Sequence, residues 1–128
     1  MKTMVLDIGG TAIKSAVAEN GVLSDIRETP TQASLGGEHV MALAKEIIAS
    51  YKEHWDFARI GISTAGQVDP EKGSIIYANH NIPGYTGTPI RAIMEEAFHV
   101  PVYVENDVNA AAIGEAHFGA GRRERDFV

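Results

Sequence analysis

Cysteine is absent from the 128 residues. No disulfide can form within them, and no thiolate zinc site lies among them. Long apolar runs are absent too, since nothing approaches the ~18 residues a membrane span requires. The opening Met1-Lys2-Thr3-Met4-Val5-Leu6-Asp7 lacks the apolar core of a secretory leader, so a cytoplasmic protein is expected. Positive charge is in deficit, with 11 basic residues against 17 acidic and a net charge of −6. That argues against a general nucleic-acid or anionic-membrane surface, while leaving room for a local basic site. There is no Gly-x-Ser-x-Gly elbow. His39, His54, His80, His99 and His117 show no ligand spacing with one another or with a carboxylate pair, so no metal ligand is assigned. Repeats, low-complexity segments and linkers are missing before the last ten residues. What is left has the hydrophobic (45%) and charged (22%) content of one ordinary globular domain.

The most informative stretch is Val102-Tyr103-Val104-Glu105-Asn106-Asp107-Val108-Asn109-Ala110-Ala111-Ala112. Pro101 cannot sit inside a central strand, so a strand begins just after it. Val102, Tyr103 and Val104 are strand formers. Glu105, Asn106 and Asp107 then change the chemistry, and the alanines that follow predict a helix with Asp107 at its N-cap. Polar groups are thus expected at the carboxyl end of a strand, the edge where open α/β sheets bind ligands. A plain helix cap at Asp107 and a turn-filling Asn106 fit these residues equally well.

Near the amino terminus, Met4-Val5-Leu6-Asp7-Ile8 reads as a central strand leading into Gly9-Gly10-Thr11. In a dinucleotide fold or a Walker loop the glycines would open a helix. Here Ala12–Ala18 is short and ends at Asn20-Gly21, a strong hairpin-turn signal. Val22–Thr29, stopped by Pro30, is a third strand. Three antiparallel strands are expected, with the glycine pair in the first turn. Glycines permit close backbone approach to a ligand and can turn N–H groups toward an anion. Asp7 is expected buried beside this turn, able to hold a metal ion through water, and Lys14 is compatible with either face. A double glycine between strands is also compatible with a simple turn.

Further on, Val40, Leu43, Ala44, Ile47, Ile48 and Tyr51 mark the buried face of a helix over 38–54, with Trp55 as a packing anchor at its end. Ala58–Ser63 reads as a strand and 64–69 as the loop after it. Strand, crossover helix and strand imply a parallel pair, which would bring Gly66 and Gln67 to the edge that carries Asn106 and Asp107. Asp69–Gly73 is a turn and Ser74–Tyr77 a short strand. The loop Ala78-Asn79-His80-Asn81-Ile82-Pro83-Gly84-Tyr85 combines amides with an aromatic. That mixture suits a polyol, with amides bonding hydroxyls and a ring stacking on a sugar face, and it also suits an unremarkable surface loop. Thr88 and Pro89 predict an N-cap and first helical residue, and Ile90, Ile93, Met94, Ala97 and Phe98 the buried face of that helix.

Taken together, Asp7-Ile8-Gly9-Gly10-Thr11, Gly61-Ile62-Ser63-Thr64-Ala65-Gly66-Gln67-Val68-Asp69, Asn79-His80-Asn81-Ile82-Pro83-Gly84-Tyr85 and Glu105-Asn106-Asp107-Val108-Asn109-Ala110-Ala111-Ala112 closely resemble the ROK family of repressors and bacterial sugar kinases. The likeness runs through essentially the whole chain. It implies an α/β, actin-like (ribonuclease-H-like) domain. Its five-stranded mixed sheet would have three antiparallel strands, then parallel ones, with helices on both faces. The domain would cover residues 1–118, and 119–128 would begin the connection to a second domain. By the same likeness Gly9, Gly10 and Thr11 match the first phosphate loop, and Asp7 the residue beneath the ATP phosphates and Mg²⁺. Gly66, Gln67, Asn79 and Asn106 match sugar ligands, and Asp107 the catalytic base.

Where many family members have lysine directly after Gly-Gly-Thr, this chain has Ala12, with Lys14 two residues later. A full family member is more than twice this length, so the chain is expected to be an amino-terminal half and inactive alone. The other half would carry the remaining ATP site and a zinc-binding His/Cys motif. The implied partners are ATP and a hexose-type sugar, with no nucleic acid or membrane, and with homodimerisation of the full-length protein open. The implied activity is ATP-dependent sugar phosphorylation. The alternative is the sugar-sensing domain of a ROK repressor, which would carry a winged helix-turn-helix ahead of the first strand. If Met1 is the native start, it leaves no room for one.

Overall fold

Strand alternation organises the core. In β1 (Thr3–Ile8), Met4, Leu6 and Ile8 are buried on one face, while Asp7 is exposed on the other. A computed structural model describes residues 1–64, 67–69, 71–77 and 82–106, apart from the side chains of Gln67, Ile76, Tyr77 and Asn106. The chain continues through β2 (Ala12–Glu19), β3 (Val22–Pro30), α1 (Gly37–Lys52), β4 (Arg59–Thr64), β5 (Gln67–Asp69), β6 (Ser74–Tyr77), α2 (Ile90–Phe98) and β7 (Val102–Asn106). The main sheet has the order β3-β2-β1-β4-β7. β1–β2 and β2–β3 are antiparallel, while β1–β4 and β4–β7 are parallel. This is the expected mixed sheet of three antiparallel strands followed by parallel ones.

The helices close one side of it. Val40, Ala44, Ile47, Ile48 and Tyr51 of α1, with Ile90, Met94 and Phe98 of α2, share a single apolar cluster with Met4, Leu6, Ile8, Ile13, Val17, Ile60, Ile62, Val102 and Val104. Both described helices therefore cover the same face. Burying each isoleucine contributes about 1.5–3 kcal/mol. The helix expected after Asp107 lies outside the described residues.

Four local expectations change. Gln67–Asp69, read as loop, is a strand paired with β6. Helix α2 begins one residue later than expected, with Pro89 at the N-cap. The Thr88 hydroxyl donates instead to the Tyr85 carbonyl at 2.6 Å, closing the preceding turn, and no side chain caps the helix, whose Ile90 N–H donates to the Thr88 carbonyl at 3.0 Å. Ala97 is exposed, because the buried stripe of α2 follows the i, i+4 row Ile90–Met94–Phe98. Tyr85 is 1% exposed, its ring packed in the core and its hydroxyl 2.6 Å from Thr64 Oγ1. It anchors its loop and is not available to stack on a sugar.

The edge strand β3 carries a bulge where its register against β2 shifts between Ser15 and Val17. Asp25 takes a left-handed conformation there, φ 54°. Tyr51 donates to the Asp25 carbonyl at 2.6 Å and lies 3.0 Å from Ser15 Oγ. Arg27 bonds both Asp25 carboxylate oxygens, and the Trp55 indole donates to one of them at 3.0 Å. Trp55 is thus an anchor at the end of α1, as expected, with a polar contact as well as an apolar one.

Candidate functional site

The parallel strands align their carboxyl ends. Ile8 of β1 pairs with Thr64 of β4, and Thr64 with Asn106 of β7. The glycine turn after Ile8 and the backbone of Asn106 therefore leave the sheet at one edge, where ligands of α/β sheets bind. β7 runs through Glu105 and Asn106, so these polar residues belong to the strand itself. Asp107, Gly66 and Asn79 lie outside the described residues. Gln67 is placed by its backbone opposite Tyr77, at the start of the small hairpin that follows β4.

The Gly9-Gly10-Thr11 turn joins two antiparallel strands, as expected. Gly9 N–H donates to the Ala12 carbonyl at 3.0 Å. Gly10 and Thr11 are exposed, and their N–H groups have no acceptor among the described residues. Thr31, just beyond β3, reaches back to this turn. Its N–H donates to the Thr11 carbonyl at 3.0 Å, and its hydroxyl to the Gly9 carbonyl at 2.8 Å. Thr31 is fully buried. Nothing in its local pattern marked it, because the contact spans the width of two strands.

Below the turn lies a polar row on the sheet face away from the apolar cluster. Lys14 pairs opposite Asp7, Asp7 with Ser63, and Ser63 with Glu105. Paired residues share a face, so Lys14 and Asp7 stand side by side, both exposed. Asp7 was expected buried. The alternation that buries Leu6 and Ile8 turns it outward, where its Oδ1 accepts from Ser63 Oγ at 2.9 Å. A carboxylate, an ammonium, a hydroxyl and two N–H groups without an acceptor among the described residues, gathered on the glycine turn and the strands beside it, suit an anion accompanied by a hydrated cation. No trio of His, Cys, Asp or Glu among the described residues could ligate a metal directly.

Hydrogen bonds from Arg27 and then Trp55 hold the Asp25 carboxyl below the ordinary carboxylate range. The bond to Asp25 raises the Arg27 guanidinium in turn, and burial pushes the Tyr51 phenol up. Asp25 and Arg27 belong to the bulged stretch of β3, and Tyr51 reaches it from α1.

Comparison with known proteins decides the lineage. The model of the ROK family matches residues 3–128. The chain belongs to the ROK family. An uncharacterised protein of Clostridium perfringens is 46% identical over 92% of the chain and 40% of its own length. Among solved structures, a ROK hexokinase from Thermus thermophilus is 39% identical with a TM-score of 0.77, over 92% of this chain and 39% of that one. A ROK glucokinase from Streptomyces griseus, solved with glucose and AMPPNP, is 33% identical with a TM-score of 0.81, over 96% and 38%. A ROK transcriptional regulator at 21% identity and TM-score 0.77, over 89% and 30%, shares the fold. This ROK chain spans about 40% of the length of the relative from Clostridium perfringens.

Proposed function

We propose that this chain is the amino-terminal domain, residues 1–118 with a connection over 119–128, of an ATP-dependent kinase acting on a hexose-type sugar. One observation carries the reading. The glycine turn and the end of β7 open on the same sheet edge, in a chain 33% identical to a glucokinase that binds glucose and an ATP analogue. Gly9, Gly10 and Thr11 cradle the terminal phosphates, with Asp7 beneath them. The residues present fit a hydrated Mg²⁺, because Asp7 is an exposed carboxylate two residues from the turn. When bound, the ion neutralises charge on the phosphates.

Gly66, Gln67, Asn79 and Asn106 hold the sugar hydroxyls, and Asp107 accepts the proton of the attacking hydroxyl, most simply the primary one. Phosphoryl transfer rests on positioning and charge stabilisation, so one carboxylate base and one anion-binding turn are the parts this domain must supply. The second half of the ATP site, and any structural zinc, belong to the other domain, so the 128 residues alone phosphorylate nothing. ATP as the phosphoryl donor is in keeping with a cytoplasmic protein. No helix among the described residues is long and apolar enough to cross a membrane.

The test is Asp107→Asn in the full-length protein. Sugar phosphorylation is expected to fall by roughly 10²–10⁴-fold, with sugar binding close to wild type. Wild-type turnover in that variant removes Asp107 from the mechanism. Sugar binding by the native full-length protein with no phosphorylation selects the sensor reading instead.

A further inference from the structure

We propose that Thr31 is a positioning residue that aims the Gly10 N–H at the nucleotide phosphates, an inference that rests on the kinase reading above. The argument is the geometry of one peptide group. In a trans peptide the C=O and N–H point in opposite directions, and none of the described peptides is cis. The Gly9 carbonyl and the Gly10 N–H belong to the same peptide. The Thr31 hydroxyl holds that carbonyl at 2.8 Å from a fully buried position. The Gly10 N–H must then face away from Thr31, toward the open side of the turn, where it has no acceptor among the described residues.

The neighbouring Thr11 carbonyl is drawn to Thr31 as well, by the backbone N–H at 3.0 Å. Two carbonyl oxygens that would repel a phosphate are thus turned inward by a single residue. Without the hydroxyl the Gly9–Gly10 peptide is free to rotate, since neither glycine has a side chain to restrain it. Nucleotide binding would then have to supply the order that Thr31 now imposes beforehand.

The experiment uses the full-length protein as wild type, Thr31→Val and Thr31→Ser. It measures AMPPNP affinity by titration, and KM for ATP and for glucose by phosphorylation. Valine keeps the shape and removes the donor. It is expected to weaken AMPPNP binding and raise the ATP KM by about five- to tenfold, the worth of one hydrogen bond to stability or binding. The glucose KM should stay unchanged, and serine should restore both nucleotide values.

Equal rises in both KM values, unchanged AMPPNP affinity in Thr31→Val, or failure of serine to rescue would each overturn the proposal. Should Thr31→Val not fold, amide resonances of the wild type decide. Binding of AMPPNP must shift Gly10, and an unmoved Gly10 resonance overturns the assignment. AMPPNP binding that weakens in Thr31→Val in a protein that leaves glucose unphosphorylated supports Thr31 and discards glucose as substrate. A wild type that binds no AMPPNP overturns the kinase reading and this inference with it.

Discussion

Two glycine-bearing turns close the first three strands, and they are held in opposite ways. At Asn20-Gly21 both residues have positive φ, 54° and 79°, and the flanking Glu19 and Val22 pair directly. This is the two-residue hairpin turn whose twist matches the strands, and local backbone preference suffices to form it. At Gly9-Gly10-Thr11 no residue has positive φ. That turn is fastened by Thr31, twenty residues further along, and its exposed N–H groups have no acceptor among the described residues. A turn that only reverses the chain satisfies itself. The turn proposed to serve a ligand leaves donors free and draws its rigidity from elsewhere in the fold.

The contrast breaks most directly by exchanging the damage. A Cβ on Gly9 would lie 3.1 Å from the Ala12 carbonyl oxygen, so the turn must shift to accept it. Gly9→Val in the full-length protein is expected to lower ATP-dependent turnover by about 10²-fold. Its melting temperature should move by less than about 5 °C. Gly21→Val forces a β-branched residue to φ 79° and is expected to cost about 1–2 kcal/mol of stability, with turnover per folded molecule unchanged. Similar losses of turnover in the two variants would erase the distinction.

A smaller effect tests how the same hairpin is secured at its bulge. Tyr51→Phe removes the donor to the Asp25 carbonyl and the partner of Ser15 Oγ. A loss of about 1 kcal/mol is expected in denaturant unfolding, with activity retained. It should add to the loss in Gly21→Val if turn and bulge act independently.

The smallest effect is electrostatic. The Asp25 carboxyl is held below its ordinary value by Arg27 and Trp55, so its contribution to stability is complete above the unfolded carboxylate pKa of about 3.9. That contribution is lost as pH falls through the lowered folded value. The wild type should therefore lose more stability than Asp25→Asn on acidification from about pH 6 to about pH 2.5. Parallel denaturant midpoints for the two proteins across that range would show that the pair contributes nothing.

Much of this was legible beforehand, for physical reasons. The apolar run Met4–Ile8, the strand-forming run Ala58–Ser63, the Asn20-Gly21 signal and the three-and-four spacing of α1 are local patterns that report directly on local structure. Asp7 was misplaced because the mostly apolar run Met4–Ile8 reads as a central strand buried on both faces, whereas its parity in β1 turns it outward beside Lys14. Tyr85 was misread because an aromatic in a polar loop looks free until the core beneath it is seen. β5 is only three residues long, too short for any alternation to stand out.

Residue order alone determined the succession of the described strands and helices apart from β5, the two glycine turns and the family to which the chain belongs. All of these depend on neighbours within a few positions. Only the tertiary structure decided that Ile8, Thr64 and Asn106 end in register, that Lys14 and Asp7 share an exposed face, and that Thr31 fastens the glycine turn. Each of those joins residues far apart in the chain. Strand pairing and buried hydrogen bonds bring such residues together only once the sheet has formed, and no local pattern encodes them.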